Sequence, residues 1–169
     1  MTRSSRRAAL VGAAVLVQAA LVPIAVYPSL SARLTGAEYL FAVEPVDPID
    51  PFRGAYVALA YPDLLPAEPR EGRRTEVGTV YVPLSRVGAL WRGGALSTQP
   101  PASGPFLRCE FDGWQQRCGI ESLFVPQDEA ARLERELAAG DAVARVRVDD
   151  RGNAAVVAVE PGPTTASDG

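Results

Sequence analysis

Ala142-Val143-Ala144-Arg145-Val146-Arg147-Val148, then Asp149-Asp150-Arg151-Gly152-Asn153, then Ala154-Ala155-Val156-Val157-Ala158-Val159, decide the class of fold. In the first run Val and Arg alternate, the two-residue period of a strand with one face on a core. The last run is Val-rich and reads as its partner, and the five residues between them carry the Asp, Gly and Asn that tight turns need. The stretch is a β-hairpin.

Working outward, Thr79–Leu84 reads as a strand, and Phe106–Phe111 with Cys118–Val125 as a second hairpin about the turn Asp112-Gly113. Leu40–Val43 is a short strand that ends in Pro45-Val46-Asp47-Pro48-Ile49-Asp50-Pro51, where each residue before a Pro is pushed to extended geometry. In Phe52–Tyr61, residues Ala55, Val57, Leu59 and Tyr61 point one way and Tyr56, Ala58 and Ala60 the other. This pattern predicts a strand buried on both faces, entered through Gly54. Pro62–Glu76 and Arg92–Pro105 read as loops. Gln127–Ala139 is the one helix expected in the body, with acidic residues at its start, Gly140 after its end, and Ala130, Leu133 and Leu137 on one face. The expectation is a mainly β (α+β) body, a small antiparallel domain or partly open barrel with one short helix.

Ahead of this body, Ala8–Tyr27 is uncharged and apolar on all sides, long enough as a helix to span a hydrocarbon core of roughly 30 Å. Arg3, Arg6 and Arg7 precede it without an acidic residue, which keeps that end in the cytoplasm and sends the rest across. The expected organisation is a basic stub at 1–7, a transmembrane signal-anchor helix at 8–30, an extracytoplasmic body at 31–160 and a disordered tail at 161–169. The rival is a cleaved signal peptide with small residues at Ser29 and Ser31, but the run exceeds the usual apolar length of such peptides.

Cys109 and Cys118 are the only thiols and flank the Asp112-Gly113 turn. Outside the cytoplasm a disulfide is their expected state, closing a short loop for roughly 2–3 kcal/mol, with two buried thiols as the alternative. Among 169 residues there is no His, and all 17 basic residues are Arg. That excludes a Ser-His-Asp triad, a Cys-His dyad, a His-ligated metal, a Ser-Lys dyad and a Walker loop. Ser85 and Ser122 therefore have no base. Beyond residue 30 the chain holds 14 Arg against 20 carboxylates, a net charge of −6, which argues against nucleic acid as a partner.

Gly54-Ala55-Tyr56-Val57-Ala58-Leu59-Ala60-Tyr61 resembles the signature of the GDYXXLXY family of membrane-anchored bacterial proteins of uncharacterised function. Pro45-Val46-Asp47-Pro48 with Arg53-Gly54 is similar to that family's lead-in, and Gly119-Ile120-Glu121 with Phe124-Val125-Pro126 to a later segment. Two positions depart from the pattern: Ala55 replaces the Asp of the signature, and Cys118 stands where a Tyr is usual. Members are often encoded beside a multi-pass membrane protein, so the resemblance implies a partner in the membrane.

The candidate functional strip is therefore Asp47, Asp50, Arg53, Gly54, Tyr56, Leu59 and Tyr61, with Glu121. Asp47 and Asp50, beside Pro48 and Pro51, could hold a cation or work as an acid/base pair, or each could cap a local turn. A Ca²⁺ site usually takes more oxygens than two Asp supply, and no metal or cofactor is expected. Arg53 could fork a carboxylate, with Asp50 or Glu121 its expected partner. Glu121, on an otherwise apolar strand, is either solvent-facing or paired. Tyr56 and Tyr61 face opposite sides, where core packing with a hydrogen-bonded hydroxyl accounts for both. Trp91 and Trp114 lie near loops, where either could anchor a partner.

Three functions fit. The first is a non-enzymatic accessory module for an integral membrane protein. The second is a binding module for a small ligand, cation or envelope polymer. The third is a carboxylate-based hydrolase using Asp47, Asp50 or Glu121, which needs two carboxyl groups facing one cleft.

Overall fold

The alternation at the C-terminal end folds as read. In the computed structural model, which describes residues 3–45, 56–64, 77–125 and 142–162, β8 (Ala142–Val148) pairs antiparallel with β9 (Ala154–Pro161). Val146 and Val148 are buried while Arg145 and Arg147 are half-buried on the other face. A bulge shifts the register after Arg145, leaving Val157 as the extra residue of β9. Strand β9 also takes in Glu160 and Pro161, which the sequence assigns to the body's last position and the tail. Residues 163–169 lie outside the described residues.

Strand β1 (Ala37–Pro45) pairs with β8 along most of its length, and its far end pairs with β2 (Tyr56–Ala60). Strand β7 (Ser122–Phe124) adds to β2, giving a five-stranded antiparallel sheet in the order β7-β2-β1-β8-β9. Its edge strands β7 and β9 approach each other, so the sheet curls into a half barrel. The second sheet has the order β4-β3-β5-β6, from β3 (Gly78–Val87), β4 (Leu90–Gly93), β5 (Phe106–Phe111) and β6 (Gln116–Arg117). The fold is mainly β and antiparallel.

Between the sheets lies one core. Phe41, Val43, Val57, Leu59 and Val146 from the curled sheet meet Val80, Val82, Leu84, Leu107 and Cys109 from the other. Burying such side chains stabilises by roughly 1.5–3 kcal/mol each. Gly152 fastens the two layers at one end. It sits at φ +80° in the β8–β9 turn and accepts a hydrogen bond at its carbonyl from the Arg108 amide at 2.8 Å. A Cβ there would stand 2.7 Å from the Phe106 ring and 2.8 Å from the Arg108 nitrogen.

Four readings need correction. Cys118–Val125 is not one arm of a hairpin: only Gln116 and Arg117 return against β5, and the chain then crosses to β7 in the other sheet. The apolar residues on either side of Glu121-Ser122 conceal that change of layer. Strand β2 is not buried on both faces, since Val57 and Leu59 are buried but Ala58 and Ala60 are half-buried. Arg92 and Gly93 belong to β4 rather than a loop, because they pair with Ser85 and Leu84 of β3; a Cβ on Gly93 would meet the Leu64 carbonyl at 2.7 Å. The helix expected at 127–139 lies outside the described residues.

The fourth correction concerns the N-terminal helix. Helix α1 runs Arg3–Thr35, through Pro23 and Pro28, past both limits of the 8–30 segment. Its last turn belongs to the body: Ala32 is fully buried, and the Arg33 guanidinium donates to the Val156 carbonyl at 3.0 Å. The Arg147 guanidinium donates to the Arg33 carbonyl. Gly36 ends the helix where nothing larger fits, since a Cβ would lie 2.4 Å from the Ala32 carbonyl and 2.8 Å from the Val148 nitrogen. Among the described residues no helix is long and apolar enough to cross a membrane. Side chains 1–11, 14, 17, 22, 24 and 25 fall outside that description. A spanning role for 8–30 thus rests on the sequence, not on the fold.

Asp149 joins helix to hairpin. Its carboxylate, 6% exposed, accepts from the Ser31 hydroxyl at 2.7 Å, the Asn153 side-chain amide at 2.9 Å, and the backbone amides of Asn153 and Arg151 at 2.9 and 3.0 Å. Burial alone would raise its pKa, but the hydrogen bonds from Ser31, Asn153 and Arg151 outweigh it and hold the carboxyl below its ordinary value. A depressed pKa contributes stability above the unfolded value, about 3.9, and loses it as pH falls through the folded one. Tm should therefore fall below about pH 4, and Asp149→Asn should both lower the neutral Tm and flatten that acid dependence, as followed by circular dichroism. Gly152→Ala should cost about 2–4 kcal/mol in urea denaturation, from left-handed strain plus the clash with Phe106 and Arg108.

Candidate functional site

Leu59, Tyr61 and Glu121, drawn from two separated motifs, come together where β2 meets the segment before β7. Alternation along β2 sends Val57 and Leu59 into the core, and Tyr61 follows them at its end. The Tyr61 ring stands edge-on to Phe41 with centroids 6.2 Å apart, and its hydroxyl donates to the buried Ile120 carbonyl at 2.8 Å. The Leu59 amide donates to the Glu121 carbonyl at 2.9 Å. The motif strand thus holds the crossover segment by a main-chain bond and a side-chain bond two residues apart.

Glu121 itself is half-buried and turns its carboxylate back on the chain. One oxygen accepts from the Cys118 amide, and the other accepts from the Gly119 amide at 3.0 Å. Gly119 takes φ +79°, the left-handed conformation that lets the chain turn on towards Glu121. Both carboxylate oxygens are therefore engaged by the backbone of a tight turn.

The turn is anchored from the other side by a disulfide between Cys109 and Cys118. Register explains the pairing: Glu110 faces Arg117 across β5 and β6, so the next step outward sets Cys109 opposite Cys118, with Cα atoms 4.1 Å apart. The bond closes a loop of nine-residue separation, for roughly 2–3 kcal/mol. Within that loop Asp112 accepts from the Trp114 and Gln115 amides at 2.9 and 2.8 Å. The Gln115 and Trp114 amides hold its carboxyl below the usual range. Trp114 then projects from the tip, 93% exposed, whereas Trp91 packs edge-on to Tyr39 with centroids 4.9 Å apart.

Chemically, this arrangement holds structure. Burial, and secondarily the Glu121 carboxylate, push the Tyr61 hydroxyl far above its ordinary value, so it stays protonated and acts as a fixed donor, not as a base. Asp47, Asp50, Arg53 and Gly54 lie outside the described residues, as does the Tyr56 side chain, whose backbone pairs with Phe124. Among the described residues no three His, Cys, Asp or Glu groups gather as a metal site would need. Sequence reasoning missed the Glu121 contact because its partners are backbone amides. Gly119, two residues before a Glu, was the available signal.

The chain is thus a two-sheet antiparallel β body carried on an N-terminal helix, its crossover held by a Tyr, a Glu and a disulfide. The model of the GDYXXLXY protein family matches residues 18–159, and the chain belongs to that family. No curated protein and no solved structure matches the chain. In this chain the Leu59 amide and the Tyr61 hydroxyl fix the crossover between the layers. Replacing Tyr61 with Phe should leave the Ile120 carbonyl buried without its donor and cost about 1–3 kcal/mol, measured by urea denaturation.

Proposed function

We propose that the chain is a non-enzymatic accessory module, anchored in the membrane by α1, that serves an integral membrane protein from the extracytoplasmic side. The observation that carries this reading is the continuity of the helix with the body. Ser31, Arg33 and Tyr27 of α1 are each bonded to the β8–β9 hairpin or its turn, so the body is held in one orientation at the helix end. A free-standing binding domain needs no such fixed mounting; a module presenting one face to a neighbour in the bilayer does.

Other features agree. Val15, Leu16, Leu21 and Val26 of α1 are half or more exposed, an apolar surface that water alone would not favour. The run Ala8–Tyr27, behind Arg3, Arg6 and Arg7, suits a bilayer span with its N-terminus in the cytoplasm. A disulfide in the body suits an oxidising compartment. The absent His and Lys and the fully engaged Tyr61 and Glu121 favour a module without catalysis.

Purification of the tagged chain from membranes in mild detergent, with mass spectrometry of the eluate, tests this. A multi-pass protein in near-equal amount is expected. A solitary chain would overturn stable partnership and redirect effort to ligand and Ca²⁺ thermal shifts.

A further inference from the structure

The β8–β9 turn reaches down the helix past its own docking point. Asp149 meets Ser31, but Arg151 meets Tyr27, one turn or about 6 Å nearer the apolar run. There the Arg151 guanidinium donates to the Tyr27 hydroxyl at 3.1 Å and lies over its ring, 5.9 Å from the centroid. If 8–27 fills the hydrocarbon core, Tyr27 stands among the headgroups, and the hairpin tip stands there with it.

We propose that Arg151 and Tyr27 form a clamp for the phosphate of a membrane phospholipid, seating the hairpin tip on the bilayer. Tyr27 spends a lone pair on Arg151 and keeps its O–H to donate, while Arg151 keeps further N–H donors in a planar fork. Those unused donors are of the kind that a phosphodiester's oxygens accept from. The carboxylates of Asp150 and Asp149 both act on the Arg151 charge. Asp149 is turned inward to Ser31 and the turn amides, Arg147 pairs with Glu38 and the Arg33 carbonyl, and Arg33 is spent on Val156. Asp150 is the exposed carboxylate of the turn and keeps the site from being a broad basic patch. The contact is a point clamp, not an electrostatic carpet.

This inference rests on the membrane reading of α1, and the test separates the two. The full-length chain is placed in nanodiscs of phosphatidylcholine or of a phosphate-free galactolipid, both without net charge, and amide exchange of residues 149–153 is compared. Exchange should be about fivefold slower with phosphatidylcholine, the ratio expected of one net hydrogen bond. Arg151→Gln should erase the difference, while Asp149 still holds the hairpin on the helix. Equal exchange of the unaltered chain in both lipids, or a difference that survives in Arg151→Gln, overturns the clamp alone. Protection restored in galactolipid by inorganic phosphate also overturns it, assigning the site to a free ion. Failure to assemble into either nanodisc overturns the membrane reading and the clamp together.

Discussion

A single buried carboxylate organises the architecture. Asp149 ends β8, shapes the turn into β9 through the Arg151 and Asn153 amides, and takes the Ser31 hydroxyl from α1. An ionised group at that depth is tolerable only because several donors converge on it. Remove them and the charge would have to be neutralised or the turn opened. The same turn carries Gly152, whose carbonyl takes the Arg108 amide of the second sheet. Helix, curled sheet and second sheet therefore share one junction of five residues.

At the other end of the body a different device does the joining. The chain must leave the β5–β6 hairpin and cross to β7 within four residues, exposing amides that no ladder can satisfy. Glu121 takes two of them, Tyr61 takes the Ile120 carbonyl, and the Cys109–Cys118 bond fixes where the crossing starts. The family motif marks this crossing. Tyr61 of that motif and Glu121 of the later segment both serve the backbone, which explains how a conspicuous signature can accompany a site with no reactive group among the described residues.

How much of this was legible follows from where the information resides. The terminal hairpin, β1, β3 and β5 declare themselves by alternation and turn chemistry, which are local. The pairing of Cys109 with Cys118 follows from the Asp112-Gly113 turn for the same reason. Strands β6 and β7 have two and three residues, too few to carry a period, and their assignment to different sheets is a tertiary fact. The true end of α1 is hidden because the uncharged run stops short of Thr35, and its last turn is bonded to Asp149 and Val156, over a hundred residues away. Glu121 was recognised as a candidate, but nothing in a side-chain pattern announces a carboxylate that binds its own backbone. The strip Asp47–Gly54 lies outside the described residues and adds nothing to this comparison.

The rigid joint at Ser31–Gly36 turns the length of α1 into a rotational variable. Each residue of helix advances about 1.5 Å and turns about 100°. One residue inserted below Ser31 would barely change the height of the body, yet would swing it more than a quarter turn about the helix axis, carrying Trp114 to a new compass bearing. The apolar run is therefore constrained in number as well as in composition: an apolar substitution that keeps the helix leaves the heading unchanged, while a single insertion or deletion resets it.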